Sequence, residues 1–406
     1  MTAAGDRHAR QRILPQIGDA GQERLRAGHA VIVGVGALGT HLAETLCRAG
    51  VGRLTLIDRD VVEWSNLQRQ TLLTEDDARQ GAPKADAAAR ALGQIDADAR
   101  VEPIVDDLTA DSAHRLTPWL FDQERGAGAA VLLDGTDNFS TRFLLNDIAV
   151  ATGTPMVYAG VVGVTGLMTP ILPHPLSLRE RGPGGEGRHA SISLRERGPG
   201  GEGRHASISP RERDDVSGGG DRAWAPTPCL RCLFEAPPAP GSAPTCETAG
   251  VLGPAVSIIA GLQAVEALKI LLGRFDAVTR ALIEVNAWLG TLRRIDTDRA
   301  RRPNCPCCAH GRFEHLDAAG PEGSAVTLCG ADAVQITPAS TGPIDLRALA
   351  GRLAPLGDAR VNEHLIRARL TEPGVEITVF TTGRAIIHGV TDPARARALY
   401  ARYVGT

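Results

Sequence analysis

The sequence has no surplus of positive charge: its net charge is −3, and its arginines stand mostly beside acids. That excludes the basic footprint a nucleic-acid binder needs. It also lacks a long uninterrupted apolar run. The longest, Val251 to Leu262, carries Pro254 and Ser257 and runs into Gln263, Glu266 and Lys269, which reads as a buried helix too short to span a bilayer. Met1 to Arg7 contains no apolar segment of the kind a signal peptide requires, so a cytoplasmic protein without membrane contact is expected. With 406 residues the chain is long enough for two domains and a large core.

What is present begins with a glycine loop, Gly34-Val35-Gly36-Ala37-Leu38-Gly39, between an apolar strand (Ala30 to Val33) and a helical stretch (Leu38 to Ala49). Such a loop lets phosphate sit against bare backbone N–H groups, and an acid ending the next strand reaches a ribose hydroxyl. Asp58 stands in that place, nineteen residues beyond Gly39. The pattern alone is shared with dinucleotide dehydrogenases. A dehydrogenase has no need, however, of the downstream run Asn66-Leu67-Gln68-Arg69-Gln70, nor of Lys84. Two cations and amides beyond the ribose acid imply a triphosphate whose chemistry is at phosphorus.

Strand and helix alternate up to about Leu172. Leu54 to Ile57 and Ala130 to Leu133 are short apolar strands, Ser140 to Ala151 is an amphipathic helix, and Gly166 to Leu172 is a core strand. Alternation of this kind predicts a mostly parallel sheet with helices on both faces and a ligand crevice at the C-terminal strand ends, where Gly34, Asp58 and Asp134 converge. Beyond it, the sixteen residues Ser177 to Ile192 recur unchanged as Ser193 to Ile208. Glycine, proline and charge leave this repeat almost nothing to bury, so 174–222 is expected to be a low-complexity, disordered insertion.

Cys229-Leu230-Arg231-Cys232 and Cys305-Pro306-Cys307-Cys308 each contain a C-x-x-C pair, and two such pairs make a four-sulfur zinc site. Disulfides or unrelated core cysteines are the alternative. Cys307 competes with Cys308, but only Cys305 and Cys308 keep the two-residue gap. From about Ala325 the pattern changes to a small α+β module: helices over Ile344 to Leu356 and Pro393 to Tyr403, and strands over Ile366 to Leu370, Val375 to Phe380 and Arg384 to His388, the last two joined by a Thr382-Gly383 hairpin. Its role is opaque from sequence. Cys47 and Cys329 read as small core residues.

Taken together, these motifs resemble the ThiF/MoeB/HesA family, bacterial relatives of ubiquitin-activating enzymes. Arg7 to Gln11 is similar to the family's Arg-Tyr-x-Arg-Gln opening, departing at His8 and Ala9. Asn66 to Gln70 is its Asn-Leu-Gln-Arg-Gln signature, Asp134-Gly135-Thr136-Asp137-Asn138 with Arg142 its aspartate block, and Cys246 to Pro254 completes the set. The resemblance implies a doubly wound α/β Rossmann-like adenylating domain over 1–315 with a four-cysteine zinc site, followed by the α+β module at 325–406. It implies ATP and magnesium as cofactors beside zinc, a homodimer, a ubiquitin-like sulfur carrier protein ending in Gly-Gly as substrate, and a persulfide donor.

An acyl adenylate forms when a carboxylate attacks the α-phosphorus of ATP and pyrophosphate leaves. The protein then needs charge stabilisation and in-line placement rather than a nucleophile. Asp134 is expected to hold magnesium, Lys84 and Arg69 to neutralise phosphates, Asn66 and Gln70 to orient them, and Asp58 to bind ribose. Gly34, Gly36 and Gly39 cradle the nucleotide with Asp137 and Asn138 nearby, while the resemblance carries Arg10 to the partner subunit's phosphates. Cys246 occupies the place where some family members link covalently to the activated carrier; the alternative is an unreactive loop residue near the site, since a nucleophilic cysteine needs a lowered pKa that sequence does not show. The sulfur would go to thiamine thiazole or molybdopterin, and the sequence does not choose. Three rivals stand beside this reading: a nicotinamide dehydrogenase, which leaves Arg69, Lys84 and the cysteine pairs unexplained; a tRNA-modifying dehydratase of the same superfamily; and a non-catalytic scaffold.

Overall fold

The computed structural model describes residues 6–113, 115, 129–173, 224–236, 249–317, 325–328, 332–338, 344–372 and 374–405. The expected disordered insertion at 174–222, Cys246 and Cys329 lie outside the described residues.

Fourteen strands form two sheets among the described residues. The first carries β1 (His29–Val33), β2 (Arg53–Ile57), β3 (Arg100–Ile104), β4 (Ala130–Asp134), β5 (Met156–Val162), β6 (Thr165–Ile171), β7 (Ala281–Asn286) and β8 (Thr291–Asp296). Its order is β3-β2-β1-β4-β5-β6-β7-β8. The pairings from β3 to β5 are parallel and those from β5 to β8 antiparallel. The strand order reverses between β1 and β4, so a crevice opens at their C-terminal ends, where ligands bind in sheets of this type.

Every residue of β1 is buried because the sheet is covered on both sides. Ala30 and Ile32 pack with the helices Ala37–Arg48, Lys84–Ile95 and Gly253–Leu271, while Val31 and Val33 pack with the helix Phe139–Thr152 and the cysteine cluster. The helix Gly253–Leu271 is longer than the sequence pattern suggests. At 19 residues and a mean hydropathy of 1.5 it passes by length and composition for a membrane span, yet 56% of that apolar window is buried in the protein. It lies against β4, β5, β6 and the helix Ala37–Arg48. One face of it is buried in the core, while Ile258 and Val265 on the other are exposed. Gln263, fully buried within it, donates through Nε2 to the carbonyls of Asp134 (2.9 Å) and Val157 (2.8 Å).

The second sheet is antiparallel throughout: β9 (Ala325–Leu328), β10 (Ala333–Ile336), β11 (Gly357–Val361), β12 (Leu365–Leu370), β13 (Glu376–Phe380) and β14 (Ala385–His388), in the order β11-β12-β13-β14-β10-β9. Helices Leu346–Leu353 and Pro393–Tyr403 pack on it around Ile366, Ile377, Val379 and Leu399. Both begin at aspartate caps: Asp345 accepts from the backbone of Arg347 and Ala348, and Asp392 from Ala394 and Arg395.

Candidate nucleotide site and cysteine cluster

The glycine loop is seated against the aspartate block by contacts that admit no side chain. Gly34 has φ +86°, and a Cβ there would lie 2.6 Å from the Gly135 carbonyl oxygen; a Cβ on Gly39 would lie 1.9 Å from that of Gly34. Only glycine permits this approach. The loop and Asp134 are thereby fixed side by side at the ends of β1 and β4.

Asp58, one residue past β2, ties this loop to the segment leading to Lys84. Its Oδ2 accepts from Val35 N at 2.6 Å and its Oδ1 from Asp60 N at 2.7 Å. Burial pushes the Asp58 carboxyl up to about 6, against the pull of Lys84. Asp60 receives Lys84 twice: the lysine's backbone N–H donates to the Asp60 carbonyl at 2.9 Å, and Nζ donates to Oδ2 at 3.1 Å. Burial would raise Asp60, but Lys84 and Arg59 outweigh it and hold the carboxyl down at about 2. For Lys84 the balance is similar. Burial favours its neutral form, and Asp60 and Asp58 together overcome this and raise its pKa. A buried, charged lysine at a helix start beside a glycine loop is a ready phosphate partner.

Asp134 is fully buried at the end of β4. Its Oδ1 accepts from Thr136 N (2.9 Å) and Oγ1 (2.8 Å), and its Oδ2 has no hydrogen-bond partner. Burial pushes this carboxyl up to about 6, with Arg142 and Thr136 opposing. Arg142 Nε stands 3.8 Å from Oδ2, and its Nη2 donates to the Thr136 carbonyl at 2.8 Å. A bare, desolvated carboxylate oxygen fits a hard cation, which binds through oxygen ligands.

Of the amides in the signature run, Asn66 and Gln70 are buried and Gln68 is exposed. Asn66 is buried and its Oδ1 accepts from Glu63 N at 3.1 Å; Gln70 is buried with Oε1 unpartnered, and its Nε2 would lie 3.8 Å from a Cβ at Gly36. Arg69 is not held inward: its Nη1 donates to the Ser65 carbonyl on the surface. Asn138 caps the helix Phe139–Thr152, its Oδ1 accepting from Thr141 N, so that oxygen already has a structural use; Asp137 beside it is exposed. Arg10 sits on the exposed short helix Ala9–Arg12, with no ion pair or side-chain hydrogen bond among the described residues. Next to the signature run opens a cleft of about 460 Å³, lined by Leu67, Gln70, Pro254 and Ile258 and by His41 and Ser257, which are hydrogen-bonded at 2.8 Å.

The two C-x-x-C pairs meet. Cys229, Cys232, Cys305 and Cys308 place all four sulfurs within 4.8 Å of one another, with Cys229–Cys232 at 3.9 Å, Cys229–Cys305 at 3.6 Å and Cys232–Cys308 at 3.5 Å. Zn–S bonds of ~2.3 Å in a tetrahedron set S···S edges of ~3.8 Å, so these donors fit zinc with no position left for water. Cys307 is excluded from the cluster: its sulfur accepts from Asn146 Nδ2 at 3.3 Å. The same asparagine accepts from Leu230 N at 2.7 Å, so one buried residue on the helix after Asp134 holds both cysteine pairs.

Some residues of the site escape sequence reasoning. Arg142 lies in a recognisable block that gives it no role, and its 3.8 Å approach to Asp134 exists only in three dimensions. Gln263 and Glu266 interrupt the apolar run, and that polarity is the available signal; Gln263 ties the helix to the Asp134 strand end, whereas Glu266 accepts from Thr279 and Lys269 away from it. Asp60, between Asp58 and the signature, has no motif to mark it.

Residues 8–307 match the ThiF family. The chain is 35% identical over 400 residues to the sulfur carrier protein ThiS adenylyltransferase of Bacillus subtilis, an alignment that covers 98% of this chain and 99% of that protein. It is 34% identical to the sulfur carrier protein adenylyltransferase of Thermus thermophilus over 75% of this chain and 90% of the relative. Among solved structures, Escherichia coli MccB with ATP aligns at a TM-score of 0.50 and 18% identity, covering 76% of this chain and 75% of that one, which supports the fold. The chain belongs to the ThiF family.

Proposed function

We propose that this protein adenylates the C-terminal Gly-Gly carboxylate of a ubiquitin-like sulfur carrier at the expense of ATP, and that the carrier is of the ThiS type, preparing thiocarboxylate for thiamine thiazole synthesis. The observation that carries this reading is Asp134, a fully buried carboxylate with one bare oxygen, set beside the glycine loop that Asp58 ties to Asp60 and Lys84. The choice of a ThiS-type carrier rests on the Bacillus relative, whose likeness runs through the C-terminal module as well.

In the reaction a carrier carboxylate oxygen forms a bond to the α-phosphorus while the bond to the pyrophosphate oxygen breaks. Magnesium, which Asp134 would hold, supplies charge neutralisation on the phosphates. Lys84 turns from Asp60 to the triphosphate, Arg69 swings in from the surface, and Asn66 and Gln70 orient the phosphates beside the N–H groups of Gly34 to Gly39. Asp58 would bind the ribose, with Asp137 contributing to the nucleotide side of the site. The cleft beside Ile258 and Leu67 takes the extended carrier tail, whose glycines have no side chains to obstruct it. Zinc, held by Cys229, Cys232, Cys305 and Cys308, supplies a structural cross-link only. Cys246 acts after adenylation, in sulfur transfer from a persulfide donor, since carboxylate attack on phosphorus has no use for a thiol.

Purified protein is expected to exchange labelled pyrophosphate into ATP only when a Gly-Gly-ended carrier is supplied, and Cys246→Ala to retain that exchange. Exchange without carrier, or bound nicotinamide nucleotide in place of ATP, would overturn the assignment.

The working unit in this proposal is a homodimer in which exposed Arg10 completes the partner subunit's site. Arg10→Ala and Asp134→Asn chains, each inactive alone, should then regain activity when mixed, because the heterodimer holds one intact site. Heterodimers that form and stay inactive would return Arg10 to its own subunit or remove it from catalysis.

A further inference from the structure

The C-terminal sheet does not stand apart from the nucleotide site. Val61, three residues past the ribose acid Asp58, packs against Ala333, Leu365, Phe380 and Ile386 of that sheet, and it also bridges to Pro83 just before Lys84. His364 Nε2 lies 3.1 Å from Asp86 Oδ2 in the first turn of the Lys84 helix. Arg384 makes the deepest contact. It is 5% exposed, lies 3.8 Å over the Phe380 ring, and donates through Nη2 to the Arg59 carbonyl at 2.7 Å. Its Nη1 donates to Gln335 Oε1 at 3.4 Å, and Gln335 Nε2 donates to Asp107 Oδ2 at 3.2 Å, the same oxygen that Arg59 Nη1 reaches at 2.7 Å.

These bonds form one line: Arg384 to the carbonyl of Arg59, then Asp60, which binds Lys84 by main chain and side chain, and Asp58, which binds the glycine loop. From this we infer that Arg384 is a positioning residue for the nucleotide site, and that the C-terminal module braces Lys84 and the glycine loop for ATP. The inference rests on the proposed reading of Lys84 as a phosphate ligand. The brace also balances charge: when Lys84 leaves Asp60 for the triphosphate, Asp60 keeps Arg59 at 3.7 Å and Arg384 within electrostatic range.

A guanidinium is a poor choice for merely gluing two surfaces together. Arg384 is buried without a carboxylate in its hydrogen bonds, and burial pulls its pKa below the ordinary range. An apolar residue of similar length would cover Phe380 without the desolvation cost of a buried charge, but it would leave the Arg59 carbonyl and Gln335 Oε1 without their donor, which costs stability. The charge is what Asp60 and the acids Asp106 and Asp107 require.

The test uses the full chain and needs no carrier: ATP binding by calorimetry in wild type, Arg384→Met, Lys84→Met and the double variant. Arg384→Met, which keeps the length that covers Phe380, should weaken ATP binding about tenfold, with the chain melting some degrees lower but still folded at the assay temperature. In the Lys84→Met background the same change should weaken binding less than twofold, because the brace acts through that lysine. Full, independent losses in the double variant, or wild-type affinity in Arg384→Met, overturn the inference. Should Arg384→Met fail to fold, Arg384→Lys is read in its place. It keeps the charge but not the fork onto Arg59 and Gln335, and is expected to show a smaller loss that again vanishes without Lys84. A wild-type chain that binds no ATP overturns the nucleotide reading itself.

Discussion

Replacing Asp134 by asparagine is expected to lower carrier-dependent pyrophosphate exchange at least ~100-fold, the order lost when one well-placed electrostatic group is removed, while leaving the folded protein no less stable near pH 8. The two halves of this result have one cause. Asp134 is fully buried, and desolvation raises its carboxyl to about 6 from an ordinary 3.8. A raised carboxylate pKa means the folded state binds the proton more tightly than the unfolded state. The group therefore weighs on stability increasingly as pH rises from about 4 through 6. At about 1.4 kcal/mol per unit, this is on the order of 2–3 kcal/mol once the group is fully ionised. Asparagine keeps an acceptor for Thr136 N and Oγ1 and carries no charge, so most of that destabilisation disappears; at pH 4 the two proteins should melt alike. Thermal melts of both chains at pH 4 and pH 8, beside the exchange assay, give the measurement. An Asp134→Asn chain that is active, or one far less stable than wild type at pH 8, would contradict this account of the residue.

Asp134 is legible in the sequence because its signals are local. A strand-end acid after four apolar residues, a glycine loop and a C-x-x-C pair each sit within a few residues of sequence, and all fall where expected on the described structure. Element ends differ by a residue or two: β1 begins at His29, and the helix after the loop begins at Ala37. The strands that escape sequence reading lack the expected pattern. β8 is exposed along its whole length, so Thr291–Asp296 shows no alternation of apolar and polar residues, and β3 carries Pro103 at the sheet edge. Long-range partnerships leave no local trace. Arg384 meets the Arg59 carbonyl across 325 positions, and a single arginine in a strand-forming stretch gives no hint of that destination. Choosing Cys308 over Cys307 is the intermediate case. Spacing favours it, and Asn146 supplies the physical reason by occupying the other sulfur.

The cysteine cluster carries the largest expected effect on stability. Native mass spectrometry should find one zinc per chain, and Cys229→Ser or Cys305→Ser should lose the metal together with much of the structure, since a structural zinc contributes on the order of 10 kcal/mol in small sites. The cluster is no surface ornament. It is buried beside Phe143 and Leu145, and Asn146 and Asp147 on the same helix bind it and its surroundings through Leu230 N, Cys307 Sγ and His315 N. That helix begins at the Asn138 cap, directly after the Asp134 block, so loosening one end of it disturbs the carboxylate at the other. Cys307→Ser separates ligand from neighbour: it should keep the metal and melt within a few degrees of wild type, because the serine hydroxyl can still accept from Asn146 and donate to Asp147. Four thiols crowded within 4.8 Å without a metal would leave closely packed, mutually competing protons, a state that zinc resolves by taking all four sulfurs as thiolates. Removal of zinc by a chelator should therefore lower the melting temperature sharply and lower nucleotide affinity with it. A metal-free chain that melts like the zinc-loaded one would leave the cluster without the structural role its geometry assigns.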